Sequence, residues 1–261
     1  MKHYFIADSH IGCKSLPDKE SVEKDFITWL REKSSDPDTG SIYLLGDIFD
    51  FWFEFAHSVP HLYDDVLDEL KKHRNIHFIP GNHDQWTYGY LQDSVGLTVH
   101  DKISEIEIKG KSFTLAHGHS LKTRKKIDRI INMIFESGIC QWSFRHLIIP
   151  QLGIAFGLGW SARTHLKHNP LNKNKKEDQF IDYYAPHSSD NDREQNMDEQ
   201  LNWVKENGIS TDYVIMGHRH KGLNIMLRNT HLMILNDFFA QRSYAVYDDV
   251  TETLEEFSYM E

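Results

Sequence analysis

The sequence has few cysteines, no excess of basic residues and no apolar run of membrane-spanning length, and each shortage excludes a class of protein. Its 261 residues include two cysteines, Cys13 and Cys140, too few for the disulfide framework of a small secreted domain. The opening MKHYFIADSH places Asp8 where a secretory signal would be apolar. The apolar run at 147–160 is shorter than the ~20 residues that span a bilayer. A cytoplasmic protein in a reducing compartment is therefore expected.

The charge balance argues against nucleic acid as a partner. The chain has 29 Lys and Arg against 39 Asp and Glu, which gives a formal net charge of -10. Binding to a phosphate backbone needs a basic surface, which this composition does not favour. With 39% hydrophobic and 26% charged residues, the chain is typical of a soluble globular protein.

Short β-type runs alternate with segments of helical period, a pattern that predicts an α/β (α+β) fold. Helices are expected at 22–31, at 62–73 and at 197–207, where Gly208 is the stop signal. The tail from about 231 to 257 returns to β character.

Five apolar runs each lead directly into residues of metal-ligand type. They end at Asp8-Ser9-His10, Gly46-Asp47-Ile48-Phe49-Asp50, Gly81-Asn82-His83-Asp84, His117-Gly118-His119 and Gly217-His218-Arg219-His220. A strand that ends in a ligand places it at one edge of a sheet, where ligands of α/β folds bind. Five such strands in one sheet would bring these residues into a single cluster.

Each motif has an ordinary structural explanation when it is taken alone. A single D-x-H match is accidental in most proteins, GD-x-x-D can be a strand followed by a helix cap, and GNHD can be a turn. All five in order, each after an apolar run, favour a metal site. Outside these motifs the remaining histidines are expected to be surface or structural.

The motifs supply the ligands of a two-metal centre. Asp47 is a carboxylate able to bridge two ions, and Asp8 and His10 lie two residues apart and can share one metal. Asn82 offers a neutral oxygen, and the set is completed by His117, His218 and His220. Mixed nitrogen and oxygen ligands suit Mn, Fe, Zn or Co better than Mg or Ca. Two divalent ions are expected, with manganese as the first choice.

The order of these motifs resembles the calcineurin-like metallophosphoesterases. Within them the stretches 46–52, 81–86, 115–118 and 216–220 look closest to the UDP-2,3-diacylglucosamine pyrophosphatases of lipid A biosynthesis, Bacteroidetes-type. The resemblance covers nearly the whole chain. It implies two packed mixed β-sheets flanked by helices, with a helical lid insert that holds acyl chains. It also implies attack of metal-activated water on the phosphorus nearer the uridine, which gives UMP and 2,3-diacylglucosamine 1-phosphate.

The residues next to the metal ligands suggest further roles. His83 follows Asn82 and is expected beside the leaving oxygen, where both would contact the substrate and His83 would donate a hydrogen bond or proton. Asp50 is the candidate to orient His83. His119 competes with His117 as the ligand from its motif, because residues two apart can face the same side. If it is not a ligand, His119 contacts phosphate or is solvated.

The segment 121–176 differs from the rest of the chain in its charge and hydrophobicity. We therefore divide the molecule into a core at 1–120 and 177–261 and an insert at 121–176. It holds eleven Lys and Arg against two acidic residues, together with the apolar run at 147–160. Within it Arg163 and Lys167 are candidates to pair with the diphosphate, and residues 167–176 are expected to form a loop. The groove candidates for acyl chains are Ile134, Phe135, Leu147, Ile148 and Phe156.

The insert bears on the choice between functions. A basic, apolar lid would suit a lipid-linked nucleotide and the anionic cytoplasmic face of the inner membrane, where the protein would be peripheral. An ordinary helical hairpin packed on the core would suit a phosphodiesterase or phosphatase acting on a soluble nucleotide or phosphoprotein. A non-enzymatic scaffold on the same fold is disfavoured. A protein that has lost its enzymatic activity has normally lost metal ligands too, whereas all the ligand candidates are present in this sequence.

Overall fold

Two mixed β-sheets lie face to face in the computed structural model, which describes residues 1–16, 18–119, 137–167, 200–207 and 209–259. Residues 121–136 and 168–176 of the expected insert at 121–176 therefore lie outside the described residues, and with them Ile134, Phe135 and all but the first residue of the expected loop at 167–176. Helices cover the outer face of each sheet, so the layers run helix, sheet, sheet, helix. The prediction of two packed mixed sheets with flanking helices is confirmed.

The first sheet has six strands, of which four are parallel. Its order is β11-β10-β1-β2-β3-β4, with β1 parallel to β2, β2 to β3 and β3 to β4, while β10 and β11 are antiparallel. The strands are β1 Lys2–Ile6, β2 Thr39–Leu44, β3 Ile76–Phe78, β4 Thr98–Val99, β10 Ser243–Asp248 and β11 Thr253–Ser258.

The second sheet has five strands with a parallel centre and antiparallel edges. Its order is β5-β6-β7-β9-β8, in which β6, β7 and β9 are parallel. The strands are β5 Ile103–Ile108, β6 Lys111–Ala116, β7 Tyr213–Met216, β8 Leu223–Leu227 and β9 Thr230–Ile234.

The helices lie on the outer faces and beside the strand ends. They are α1 Lys19–Ser35, α2 Asp64–Leu70, α3 Gly138–Leu147, α4 Pro150–Lys167 and the short α5 Phe238–Gln241. Residues 200–206 are also helical, a 3₁₀ turn at His61–Tyr63 precedes α2, and Leu91–Val95 form a π-helical turn. Helix α1 buries Val22, Phe26, Trp29 and Leu30, a spacing that forms one apolar stripe. The helices expected at 22–31 and 62–73 are thus present, the second of them shorter than expected.

Alternation along β1 explains why the first sheet is buried on both faces. Tyr4 and Ile6 pack with α1 and α2 on the outer side, whereas Phe5 and Ala7 face the second sheet. Between the sheets Phe5 stacks on Tyr43 with ring centroids 4.9 Å apart. Burial on both faces fixes the register of the strand, because a slip by one residue would exchange the two faces.

Helices α3 and α4 pack one face against an aromatic cluster next to the Gly46–Asp50 motif. Phe51, Phe53 and Phe55 form this cluster with Leu158 of α4 and Phe144 of α3. A Cβ at Gly153 would lie 2.7 Å from the Phe55 ring, so α4 approaches the cluster as closely as a glycine allows.

The opposite side of the same two helices is apolar and open to solvent. Large exposed side chains there are Ile139, Trp142, Leu147, Ile148, Ile149, Leu152 and Phe156. A helix that is apolar on both sides is unusual for a surface element that faces only water. Of the residues that the structure describes, none belongs to a helix with both the length and the apolar character to cross a bilayer.

The five apolar runs form strands as expected, but they do not share one sheet. Three of them form β1, β2 and β3 of the first sheet, and two form β6 and β7 of the second. The cluster therefore forms from two sheets, as the family resemblance implied, and not from one. The motifs still converge, because hydrogen bonds join the two sheets at the carboxyl ends of their strands. The carbonyls of Ala7 and Asp8 accept from the backbone of α5, and the Asp8 carboxylate accepts from the N–H of His218.

A buried carboxylate on α2 offers a test of how the first sheet's helices are held. Glu69 is almost fully buried and accepts hydrogen bonds from Arg31 at 2.8 Å and Lys72 at 3.0 Å, with His73 also at 3.0 Å. These bonds, led by that from Arg31, lower the pKa of Glu69 to about 2 although burial opposes the shift. The carboxylate therefore stabilises the fold above pH ~4.5, and this contribution is lost as the pH falls towards ~2.

We expect Glu69→Gln to lower the free energy of unfolding at pH 7 by about 1–2 kcal/mol. The effect is no larger because the Arg31 side chain is exposed, so that solvent screens its ion pair with Glu69. The difference from wild type should shrink as the pH falls below ~4.5. Urea denaturation at several pH values measures it. Asp68→Asn is the matched control, since Asp68 pairs with Lys71 in solvent on the same helix. An equal effect of both variants would contradict the prediction.

Candidate metal centre

The candidate ligands converge at the carboxyl ends of five strands from both sheets. Side-chain atoms of Asp8, His10 and His220 lie within 4.8 Å of one another, and so do those of Asp47, His117 and His218. A third such group, His10, Asp50 and His83, shares His10 with the first. The structure thus brings together all the ionisable residues that the motifs singled out as ligands.

Asp47 lies between the two groups. Its Oδ1 accepts a hydrogen bond from the backbone N–H of His83 at 2.9 Å. Its Oδ2 is 3.2 Å from Nε2 of His117 and 3.8 Å from Nε2 of His10. One oxygen is therefore anchored to the protein while the other faces both sets of imidazoles, which is the position that a bridging carboxylate needs.

Several buried polar atoms of the site have no hydrogen-bond partner among the described residues. They include Oδ1 of Asn82. Oδ1 of Asp8 and Nε2 of His117 also form no hydrogen bond, although each has an oppositely charged neighbour at 3.2 Å, Nε2 of His220 and Oδ2 of Asp47 respectively. Nδ1 of His117 lies 2.8 Å from the Leu45 carbonyl oxygen, an acceptor only, so Nδ1 carries a proton and Nε2 is the nitrogen that would offer its lone pair to a cation in place of a proton. Carboxylate oxygens, an amide oxygen and an imidazole lone pair are all electron-pair donors, so these residues fit a divalent cation.

The electrostatics of the cluster favour positive charge at its centre. Burial acts to lower the pKa of His117, but the Asp47 and Asp8 carboxylates outweigh it and raise that pKa to about 10. Burial likewise acts to raise the pKa of Asp47, but the neighbouring imidazoles hold it well below its ordinary value. The buried carboxylates therefore favour positive charge at this position, which protons on the imidazoles or divalent cations can supply.

Backbone conformation at the site is unusual. Five candidate ligands have a left-handed backbone, with φ of 53° at Asp8, 43° at His10, 51° at Asp47, 76° at His218 and 52° at His220. Residues other than glycine adopt this region at a cost of order 1–3 kcal/mol each. Such a concentration of strained residues is typical of a functional site, where the direction of the side chains matters more than a low backbone energy.

Asp84 is a site residue that the sequence reasoning missed. Its buried carboxylate accepts hydrogen bonds from the backbone N–H groups of Asp47 at 3.1 Å, Ile48 at 2.8 Å and Gly81 at 2.8 Å. It thereby ties the loop after β2 to the loop after β3. The sequence did show an acidic residue directly after Gly81-Asn82-His83. It could not show the role of Asp84, because the backbone groups of Asp47 and Ile48 are distant from it in sequence.

The loop before α5 also supports the site and was not anticipated. Asp237 caps α5 by accepting hydrogen bonds from the N–H groups of Ala240 and Gln241. The backbone N–H of Phe239 donates to the Asp8 carbonyl, and its ring lies 5.1 Å from that of His220. The tail of the chain thus holds the loop that carries Asp8.

The contact between Asp50 and His83 differs in detail from the one expected. Nδ1 of His83 lies 2.7 Å from the Asp50 backbone carbonyl oxygen, whereas the Asp50 carboxylate is 3.9 Å away. The carbonyl, not the carboxylate, therefore fixes the tautomer of His83 and leaves Nε2 directed at the site. The carboxylate lies nearer Nδ1 of His10, at 3.6 Å.

Other candidates take different positions. His119 lies beside the site but is absent from the three ligand groups. Helix α4 includes Arg163 and Lys167, whose side chains lie outside the described residues. Cys13 and Cys140 are both free thiols, as expected from their number.

Two relatives with a curated description match nearly the whole chain, and a third matches about half of it. A protein of Porphyromonas gingivalis described as a UDP-2,3-diacylglucosamine hydrolase is 30% identical over 273 residues, covering 100% of this chain and 99% of its own. A protein of the same description from Shewanella piezotolerans is 23% identical, with 98% of both chains covered. One from Vibrio atlanticus is 29% identical over 47% of this chain and 49% of its own.

A solved structure and a family model also match. The structure, an archaeal phosphodiesterase, covers 99% of both chains with a TM-score of 0.47 at 13% identity, a similarity too low to add weight. The model of the calcineurin-like phosphoesterases matches residues 1–222, a range that contains every candidate ligand from Asp8 to His220. The chain therefore belongs to the calcineurin-like phosphoesterase family and is a metal-dependent phosphoester hydrolase.

Proposed function

We propose that the protein hydrolyses the pyrophosphate bond of UDP-2,3-diacylglucosamine to UMP and 2,3-diacylglucosamine 1-phosphate, a step of lipid A biosynthesis. The observation that carries the proposal is the full-length match, at 30% identity, to the Porphyromonas gingivalis protein described as a hydrolase of this substrate. The arrangement of the ligand candidates around Asp47 supports the chemistry, and the apolar outer side of α3 and α4 supports a lipid substrate.

Two divalent ions, with manganese as our first choice over Fe, Zn or Co, would be held by the residues of the two ligand groups. Asp8, His10 and His220 would hold one, and Asp47 would bridge to the other with Asn82, His117 and His218. When bound, such a pair stabilises the attacking and leaving oxygens of a phosphoryl displacement and lowers the pKa of water. The left-handed backbone at five of these residues holds their side chains in place beforehand.

His83 is the proposed catalytic residue beside the leaving oxygen. Its ring is held by the Asp50 carbonyl through Nδ1, and its Nε2 is 4.0 Å from Oδ2 of Asp47. With the His83 ring protonated on both nitrogens, a hydrogen bond or proton from Nε2 would neutralise charge on the oxygen that departs with the sugar phosphate. Asn82, the preceding residue, would contact the same phosphoryl group.

The exposed side of α3 and α4 is the proposed contact for acyl chains and for the membrane surface. Leu147 is 68% exposed, Leu152 64% and Phe156 52%, on the two helices whose other side packs against the aromatic cluster that adjoins the metal loops. Burial of such area gains ~25 cal/mol per Å². Arg163 and Lys167 on α4 remain our candidates for the diphosphate, and we propose peripheral association with the cytoplasmic face of the inner membrane.

Asp47→Asn tests the bridging role. The amide cannot neutralise two cations, so we expect turnover to fall by more than about a hundredfold and the bound manganese to fall below that of wild type, with the fold retained. Metal analysis of the dialysed protein, circular dichroism and a nitrophenyl phosphodiester assay measure these effects. A variant that keeps its full metal content and activity would refute the bridge.

His83→Gln separates catalysis from metal binding. Loss of the proposed donor should lower kcat by about 10²–10⁴-fold with metal content unchanged, since His83 is assigned to the substrate and not to an ion. The same metal analysis and steady-state kinetics are used. His61→Gln is the control, an exposed histidine that should behave as wild type. Loss of metal from His83→Gln would show that the assigned role is wrong.

The substrate is tested by mass spectrometry of the products formed from UDP-2,3-diacylglucosamine with added manganese. We expect UMP and the diacylated sugar 1-phosphate from wild type, and neither product from Asp47→Asn. Retained activity on simple phosphodiesters without turnover of the lipid would favour the alternative, a phosphodiesterase or phosphatase acting on a soluble nucleotide or phosphoprotein.

A further inference from the structure

His119 is a buried histidine beside the metal centre to which the proposed mechanism gives no role. The chain turns at Gly118, where φ is +111°, and the turn places the His119 ring next to two candidate ligands. Its ring centroid is 5.4 Å from that of His117 and 6.3 Å from that of His218. Only 9% of the residue's surface is exposed.

Both ring nitrogens of His119 lack a hydrogen-bond partner among the described residues. An imidazole carries an N–H in either tautomer and in its protonated form. Buried polar groups are nearly always hydrogen-bonded in folded proteins, so a buried imidazole without a partner calls for an explanation. The partner is therefore supplied by something other than these residues.

A metal ion is not the partner that the geometry favours. The ligand atoms of Asp47, His117 and His218 lie within 4.8 Å of one another, and no such group includes His119. His117 already directs its Nε2 to this group, since its Nδ1 donates a hydrogen bond to the Leu45 carbonyl. The ligand from this motif is thus His117, and His119 stands outside the coordination cluster.

The surroundings of His119 favour an acceptor that carries negative charge. Lys102 lies within electrostatic range of the ring, and the divalent ions that we propose at the Asp47–His117–His218 group would outweigh the negative charge of the Asp47 carboxylate. A phosphoryl group offers acceptor oxygens and negative charge, which suits an N–H donor placed among such groups. Because the substrate phosphate must bind over the ions, it would come to this side of the site.

We infer that His119 is a substrate-contacting residue that donates a hydrogen bond to a phosphoryl oxygen bound over the Asp47–His117–His218 group, and that it is not a metal ligand. The inference rests on the proposed function only in requiring a substrate that bears phosphate. It assigns His119 to substrate affinity, in contrast to His83, which acts on the leaving oxygen.

The test measures phosphate affinity and metal content in variants of one position. His119→Phe keeps a ring but has no N–H, His119→Leu repeats the loss with a smaller side chain, and His119→Gln restores a donor. Each manganese-loaded protein is dialysed free of excess metal. Its metal content is then measured, and inorganic phosphate is titrated by calorimetry.

We expect the Phe and Leu variants to keep the wild-type metal content and to bind phosphate about tenfold or more weakly, the loss expected for one hydrogen bond to a charged group. The Gln variant should recover most of the affinity. His61→Phe should match wild type, and His117→Phe should lose metal.

Two results would overturn the inference. Loss of metal from His119→Phe or His119→Leu to the extent seen in His117→Phe would make His119 a ligand. Unchanged phosphate affinity in either folded variant would reduce it to a structural residue. Because the probe is inorganic phosphate, failure here leaves the lipid substrate untouched, and failure to turn over the lipid leaves this result untouched.

Discussion

Two buried carboxylates, Asp8 and Asp47, face the same small space, and the rest of the structure either offsets their charge or holds them there. Burial alone would favour their neutral forms. The imidazoles around them reverse this, and the pKa of both carboxyl groups lies below the ordinary value. Two ionised carboxylates that face one buried space attract positive charge to it. The two-metal chemistry of the family therefore follows from an electrostatic imbalance that the protein part of the site leaves open.

Keeping the carboxylates in place requires contacts from remote parts of the chain. Asp84 joins the loops after β2 and β3 through backbone N–H groups. The backbone of α5 holds the Asp8 carbonyl, and His218 donates its N–H to the Asp8 carboxylate. These contacts offset the strain of the left-handed residues and fix the directions of the ligands. Rigid placement of this kind is what positions reacting groups in metal hydrolases.

The aromatic cluster connects this rigid centre to helices α3 and α4. Phe51, Phe53 and Phe55 follow Asp50 directly, so the segment that bears a site residue continues into the surface on which the helices pack. Arg145 of α3 lies 4.4 Å from the centre of the Tyr88 ring and extends the contact to the loop after β3. The sequence allowed two interpretations of this segment, a lid over the site or a helical hairpin packed on the core. Packing on the core describes one side of the helices. The exposed apolar residues on the other side are what a lipid-facing role would require.

The sequence by itself determined the ligand types, their order and the five strands that precede them, because motif and apolar run are both local signals. The motifs alone did not show how the strands divide between two sheets, which only the family resemblance implied, since strand pairing depends on contacts far apart in the chain. Only the tertiary structure decided the roles of Asp84 and Asp237, the use of the Asp50 carbonyl, and the separation of His119 from His117. Each of these depends on hydrogen bonds and distances between segments that are remote in sequence, and the spacing of residues along a chain carries no information about them.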